Sequence, residues 1–410
     1  MAISFSWRRY AAPCVLSSVA VVGPAHALDG DRIRPNVGAT YTYVSNLFYL
    51  DDSIPTQNLP FLKDGQKNDQ ILGLRAGLDA DIQVSRQVFR LRSSATDNRY
   101  ATYDNLDYVS YNVRGAWDWM VGPDWDGDVG ISQAQVLGSF ADINFNVRNV
   151  RKTQELFASG MYRLTPDWKL RAAMRRLTLD NSAAAFTSTD REDMFYELGS
   201  RYYSKGRDNY LGLNLRVIDG TFPNREVVPG VSTIDNSYRQ YTLEGVMDWR
   251  YSGLSQISGS LGWTNRLHDQ LPERDFSGVT GRLSGLYSPS GTLGFNAAVF
   301  REIGGFDDVT SSYILTQGVQ FGPNYIYSDK LTFQASYSYR NRKFLGDPGF
   351  VLTSLPVRVD DVQSLSASAI WSPRRNVQVN ATLSYDTRTS NRQFREYHVT
   401  TFFTAVQLTF

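Results

Sequence analysis

Side-chain chemistry needs a nucleophile or base within reach of a partner, and this sequence offers few: three histidines and one cysteine in 410 residues. Cys14 and His26 fall in the first 27 residues, which read as a removable leader, so the inventory reduces to His268 and His398. A hydrolase site needs an imidazole oriented by a carboxylate and aimed at a nucleophile. His268 sits in Leu267-His268-Asp269-Gln270, a predicted loop, and His398 lies two residues after Glu396 near the start of the last predicted strand. The two map to opposite parts of the perimeter of the fold argued below, so no catalytic residue is assigned. Asp124-Trp125-Asp126-Gly127-Asp128 resembles the opening of a calcium loop but lacks the later Glu ligand, and it reads as a hydrated turn. The pairs Asp307-Asp308 and Asp360-Asp361 read as solvated loop or strand starts. Without a thiolate after the leader there is no disulfide, thiol nucleophile or thiolate metal site, and no metal or cofactor is expected.

The leader has three parts: Arg8-Arg9, an apolar run from Tyr10 to Val22, and Ala25-His26-Ala27. That is the layout of a secretory signal, so residues 1–27 are expected to be removed, leaving 28–410 as one domain. The apolar run is too short for a spanning helix, and no other stretch reaches the roughly 20 apolar residues one needs. The twin arginines read as an ordinary n-region, since a barrel cannot cross the inner membrane folded. Too few apolar residues precede Cys14 for an acyl site. Charge is balanced, with 42 Lys plus Arg against 41 Asp plus Glu, and removing Arg8 and Arg9 leaves 40 against 41, which excludes nucleic acid as a partner. Mean hydropathy is −0.34. Even so, the chain holds 24 Tyr, 22 Phe, 8 Trp and 32 Gly, a mixture that suits aromatic girdles better than a soluble core.

The elements that must position any site announce themselves by period. Val377, Val379, Ala381, Leu383 and Tyr385 alternate with Gln378, Asn380, Thr382, Ser384 and Asp386, and Leu331 to Arg340 does the same. The segments are longer than the 5 or 6 residues usual for globular strands and match the roughly 9 to 11 needed to cross a membrane at a tilt. Alternation places eighteen strands at 32–43, 69–84, 88–98, 106–120, 126–137, 151–162, 168–180, 192–203, 208–219, 238–251, 255–267, 276–287, 292–303, 310–326, 330–342, 360–372, 376–387 and 397–410. The joins alternate between tight turns, such as Gly122-Pro123-Asp124, Lys205-Gly206-Arg207 and Ser372-Pro373-Arg374-Arg375, and longer loops such as Val44 to Asn68 and Gly138 to Val150. Short turns on one rim and long loops on the other predict an all-β, antiparallel up-and-down transmembrane barrel of the Gram-negative outer membrane, with the lipid bilayer as its partner. A bladed propeller shares the roughly 42-residue spacing of the turn prolines, but it packs four short strands into each repeat where this chain has two long ones. Phe402, Val406, Leu408 and Phe410 share one face of the last segment, an ending similar to the signature by which the barrel-assembly machinery recognises its clients.

An eighteen-stranded barrel leaves an aqueous lumen. On the alternation phase Arg171, Arg175, Arg216, Arg282 and Arg340 face inward, together with acids such as Glu155, Glu197, Glu244 and Asp386. A wall so mixed in sign favours neither strong anion nor strong cation selectivity. The bland role for each charge is cross-strand pairing that stiffens the wall; the functional one is lining a permeation path.

Asp31-Arg32-Ile33-Arg34-Pro35, leading to Tyr41-Thr42-Tyr43-Val44-Ser45-Asn46-Leu47-Phe48, resembles the first strand of EpsL-type exopolysaccharide proteins. The Ser-Pro turn entries Tyr287-Ser288-Pro289 and Trp371-Ser372-Pro373 are also similar to that family. The resemblance implies a β-barrel porin of exosortase-linked loci that serves exopolysaccharide biosynthesis and export, with a polysaccharide or oligosaccharide cargo and no catalytic residues. The competing readings are a general or oligosaccharide-uptake porin and a non-conducting barrel that supports a secretion complex.

Overall fold

The computed structural model describes residues 32–410 apart from 143, 205–208, 225–236, 270–271, 306–312 and 347–355. The leader, the Lys205-Gly206-Arg207 turn and Asp307-Asp308 therefore lie outside the described residues. Eighteen strands are found among those described: β1 (Ile33–Val44), β2 (Asp69–Val84), β3 (Gln87–Tyr100), β4 (Tyr108–Val121), β5 (Trp125–Leu137), β6 (Val150–Arg163), β7 (Trp168–Asn181), β8 (Arg191–Tyr203) and β9 (Tyr210–Thr221) form the first half. The second half is β10 (Tyr238–Ser252), β11 (Ser255–His268), β12 (Phe276–Tyr287), β13 (Leu293–Gly304), β14 (Tyr313–Ser328), β15 (Leu331–Leu345), β16 (Val359–Arg374), β17 (Val377–Ser390) and β18 (Tyr397–Thr409). Every boundary lies within three residues of the expected one.

Each strand pairs antiparallel with its neighbours in the chain, and β1 closes the ring on β18 with Val37 opposite Leu408 and Val44 opposite Thr401. Closure removes the two free edges that an open sheet of this length would expose. Alternation then sorts the side chains. On β2 the outward Leu72 and Leu74 are 61% and 72% exposed, whereas Arg75 on the opposite phase faces the lumen. Phe402, Val406, Leu408 and Phe410 lie on the outer face of β18 in the same way.

Aromatic rings mark where the apolar band ends. Near the short-turn rim Trp125 packs on Tyr162 with centroids 4.5 Å apart, Trp168 on Tyr202 at 5.3 Å, and Phe89 stacks on Trp117 at 5.9 Å. Toward the other rim stand Tyr241, Trp263 and Tyr385. On β10, Tyr241 and Tyr251 are ten residues apart, which fits the roughly 9 to 11 residues a tilted strand uses to cross the hydrocarbon.

Local exceptions have local causes. Pro323 lies inside β14, where it has no N–H to give, and the β14–β15 ladder skips Gly322 and Pro323 while β13 still pairs opposite them. Of the expected turn Ser372-Pro373-Arg374-Arg375, the first three residues end β16, with a register shift between Trp371 and Arg374, and the turn itself is Arg375-Asn376. Asp124 occupies a turn as expected, but Trp125 to Asp128 belong to β5, where Asp128 accepts a hydrogen bond from Ser159. Gly259 has φ +151° and its Cα faces the carbonyl of Arg282, so any side chain there would meet backbone.

The packed apolar centre is in loops rather than between strands. Leu47, Phe48, Leu50 and Leu62 from residues 45–68, Tyr103 and Leu106 from the loop after β3, and Phe140 from residues 138–149 form one buried cluster. Phe48 lies at its middle, edge-on to Phe61, Tyr103 and Phe140 at 5.6, 4.8 and 5.0 Å. Asn46 locks the turn that delivers Phe48, donating to the Leu50 carbonyl at 2.8 Å and accepting from the Leu50 N–H at 2.9 Å.

Candidate functional site

The site grows from the loop of residues 138–149, which follows β5. Its one acidic residue, Asp142, meets side chains of β15 and β17 and the residue just before β16. These strands stand six to eight places from β5 around a ring whose greatest separation is nine. A loop can reach that far only by crossing the mouth of the barrel.

Arg342 of β15 places Nη1 and Nη2 3.1 and 3.0 Å from the two carboxylate oxygens of Asp142, a bidentate fork. Arg388 of β17 adds Nη1 at 3.2 Å, and Arg358 adds Nη2 at 3.5 Å. Arg358 also grips Asp360 at 2.6 Å, and Asp360 accepts from Ser390 at 2.7 Å. Arg358 lies over the Phe344 ring at 3.9 Å and Arg388 over the Tyr397 ring at 4.5 Å, so the aromatic faces hold the cations from behind. Arg388 and Asp360 are fully buried. Asp360 is therefore no solvated strand start: a carboxylate at this register position, opposite Arg342 on one side and Ser390 on the other, is enclosed by the charges it neutralises.

The backbone of the loop is fastened too. Arg388 donates to the Ala141 carbonyl at 2.6 Å, and Arg395 donates to the Asp142 carbonyl at 2.9 Å and to Asn144 Oδ1 at 3.2 Å. Asn144 donates in turn to the carbonyls of Phe48 and Tyr49 at 3.2 and 2.6 Å, tying the two inward loops together. Four arginines thus face two carboxylates, an excess of positive charge where the loop crosses the mouth.

Burial raises the Asp142 carboxyl, but Arg342, Arg388 and Arg358 outweigh it and hold it well below the usual carboxylate range. A depressed carboxyl contributes its full stabilisation above the ordinary value of about 3.9 and loses it as pH falls through the depressed one. Asp360 and the four arginines are the charged groups facing it, and the arginines stay protonated throughout. Conductance recorded between about pH 7 and pH 5 should show no opening step at the mouth.

Below the mouth, the five arginines singled out from the sequence divide into two kinds. Arg171 gives Nε to Glu197 at 3.0 Å, Arg216 bridges Glu197 at 3.3 Å and Glu244 at 2.6 Å, and Arg282 forks onto Glu302 at 2.8 and 3.2 Å. These are cross-strand girders over β7 to β10 and β12 to β13. Arg175 lies over the Phe195 ring at 3.8 Å and Arg340 donates to Ser364 at 3.2 Å. Neither has a carboxylate within ion-pair distance among the described residues. Replacing Glu197 by Ala removes one partner from two arginines. A cost of about 3 kcal/mol is expected, at the low end of the range for a broken buried pair because Arg216 keeps Glu244 and is partly solvated. Urea unfolding in lipid vesicles measures it, and an unchanged midpoint would refute the girder role.

The histidines assemble no hydrolytic site. His268 is the last residue of β11 rather than a loop residue, and it is buried between Tyr238 and Tyr313 with Asp275 3.5 Å away. His398 stacks on Tyr385 on the outer face of β18, seven strands from β11. Each ring sits in its own structural setting, and the two do not meet.

Comparison with known proteins adds a partial family match. A family model described as "Putative beta-barrel porin 2" matches residues 256–410, essentially β11 to β18. No curated protein matches. Among solved structures, Pseudomonas aeruginosa OpdK with vanillate covers 92% of this chain and 99% of its own at a TM-score of 0.48 and 10% identity. OccK2 (OpdF) of the same organism, in complex with glucuronate, covers 92% and 98% at 0.49 and 10% identity. The alcaligin outer-membrane receptor FauA of Bordetella pertussis covers 91% and 76% at 0.45 and 13%.

The chain is an outer-membrane β-barrel. The porin match corrects the expected membership of the EpsL-type exopolysaccharide proteins, and the role in exopolysaccharide biosynthesis and export falls with it. The mouth supplies the physical reason. The two loops pack on one another, and residues 138–149 are salt-bridged to the far wall, so chain crosses the mouth that a polymer would have to pass. The resemblance had rested on strand starts and turn entries, which report barrel architecture rather than cargo.

Proposed function

We propose that this chain is an uptake porin for small hydrophilic solutes, up to short oligosaccharides, whose selectivity is set at the mouth by residues 138–149 and the arginines that hold them. The observation that carries the reading is the Asp142 cage, which ties a loop across the barrel near its long-loop rim. Hydroxyl, amide and guanidinium groups on the inner phase suit solutes that travel with hydrogen-bonding groups. The excess of arginine over carboxylate at the mouth revises the balanced wall read from sequence toward a preference for anions. Arg175 and Arg340, which have no carboxylate partner among the described residues, are the lumen residues assigned to solute contact; Arg171, Arg216 and Arg282 are assigned to the wall. Residues 1–27 serve as the cleaved leader, and the outward Phe402, Val406, Leu408 and Phe410 serve recognition by the barrel-assembly machinery.

Planar-bilayer recording tests the reading. Small, anion-preferring channels are expected, with a reversal potential under a KCl gradient displaced toward the chloride value. A folded barrel that stays electrically silent, or one that favours potassium, would overturn it.

A further inference from the structure

We propose that the arginine cage is a carboxylate-binding site whose present occupant is the chain's own Asp142, and that an incoming carboxylate solute exchanges with Asp142 and loosens residues 138–149. The proposal rests on the uptake reading and names the solute class that the mouth would admit.

The geometry around Asp142 is that of carboxylate recognition rather than of general charge neutralisation. A guanidinium fork on both oxygens, backed by two further guanidinium contacts on one of them, would bind a free carboxylate of the same shape. Arg388 Nη2 is buried and has no hydrogen-bond partner, so the cage holds a donor that its resident carboxylate leaves unused. Exchange replaces one carboxylate by another, and the charge balance of the cage is unchanged. The loop sends no other acid into the cage, so displacing Asp142 removes its ionic hold on the far wall among the described residues and leaves the neutral hydrogen bonds from Arg388 and Arg395 to the loop, while Phe140 stays anchored in the apolar cluster. A next station for the solute lies two residues deeper on the same inner phase of β15, where Arg340 has a buried Nε without a partner. Because Asp142 is tethered, it competes at an effective concentration of order millimolar, so the site responds to abundant solutes and not to traces.

Loop accessibility reads exchange without relying on conductance. With Cys14 changed to Ser, an Ala141→Cys variant carries a single thiol beside the cage, and its labelling by a bulky maleimide is followed on the folded protein in membranes. Labelling is expected to be roughly tenfold faster in about 100 mM sodium acetate than in sodium chloride of equal ionic strength, since spherical chloride cannot satisfy the fork. Adding Asp142→Asn should make labelling fast in both salts. Adding Arg342→Lys, which keeps the charge but loses the fork, should shrink the acetate effect. Equal rates in acetate and chloride would overturn the proposal, as would a slow Asp142→Asn protein. Acetate-dependent labelling in a barrel that conducts nothing would sink the uptake reading and leave the exchange site standing.

Discussion

Replacing Asp142 by Ala should convert a small channel into a markedly larger and noisier one. The substitution leaves Arg342 and Arg388 buried and facing each other without the carboxylate that separates them. Removing one partner of a buried ion pair costs about 3–5 kcal/mol, because the desolvated charges left behind have nothing to compensate them. The strands cannot move, since each is held on both sides by a ladder. The penalty is therefore relieved where the structure can give, by residues 141–149 leaving the mouth and water entering. Arg342→Ala should act in the same direction more weakly, because Arg358 and Arg388 still hold the carboxylate. Single-channel recording decides: an unchanged unitary conductance in Asp142→Ala would mean that the loop does not limit the path.

The second large effect is on the wall. Leu365 and Ser366 are neighbours near the middle of β16; the leucine is 54% exposed on the outer face, and the serine lies on the inner phase opposite Ser336 and Ser384. Leu365→Arg places a guanidinium at the hydrocarbon midplane and should cost about 2–4 kcal/mol of stability in a bilayer. Ser366→Arg places the same group in the lumen, where water solvates it, and should cost no more than about 1 kcal/mol. Refolding into lipid vesicles at a series of urea concentrations measures both. Equal penalties would mean that the two faces do not see lipid and water, and the barrel assignment would fail.

The wall and the mouth are written in the sequence to different degrees. The wall was legible because its physics is local: a strand with lipid on one side and water on the other must alternate, and each of Val377 to Asp386 carries its share of that pattern. The girders were half legible. The inward phase of Arg171, Arg216 and Arg282 follows from alternation, but which acid each one meets depends on strand register. The mouth was not legible. Asp142 is the lone acid of a loop, and the arginines that cage it lie 200, 216 and 246 residues further along the chain, joined to it only when the ring closes. Asp360 failed as a reading for the same reason. A charged pair at a strand start looks solvated until a loop from the far side covers it. The strand-start and turn motifs that suggested an exopolysaccharide role were local as well, and local motifs carried architecture without cargo.

Selectivity at the mouth depends on residues 138–149 crossing and narrowing it. The most direct measurement is the single-channel conductance of a variant in which residues 139–148 are replaced by a short Gly-Ser linker, compared with the unaltered chain under identical salt. A several-fold larger conductance with a weakened preference for anions is the result expected. Identical conductance and selectivity in the two proteins would contradict it.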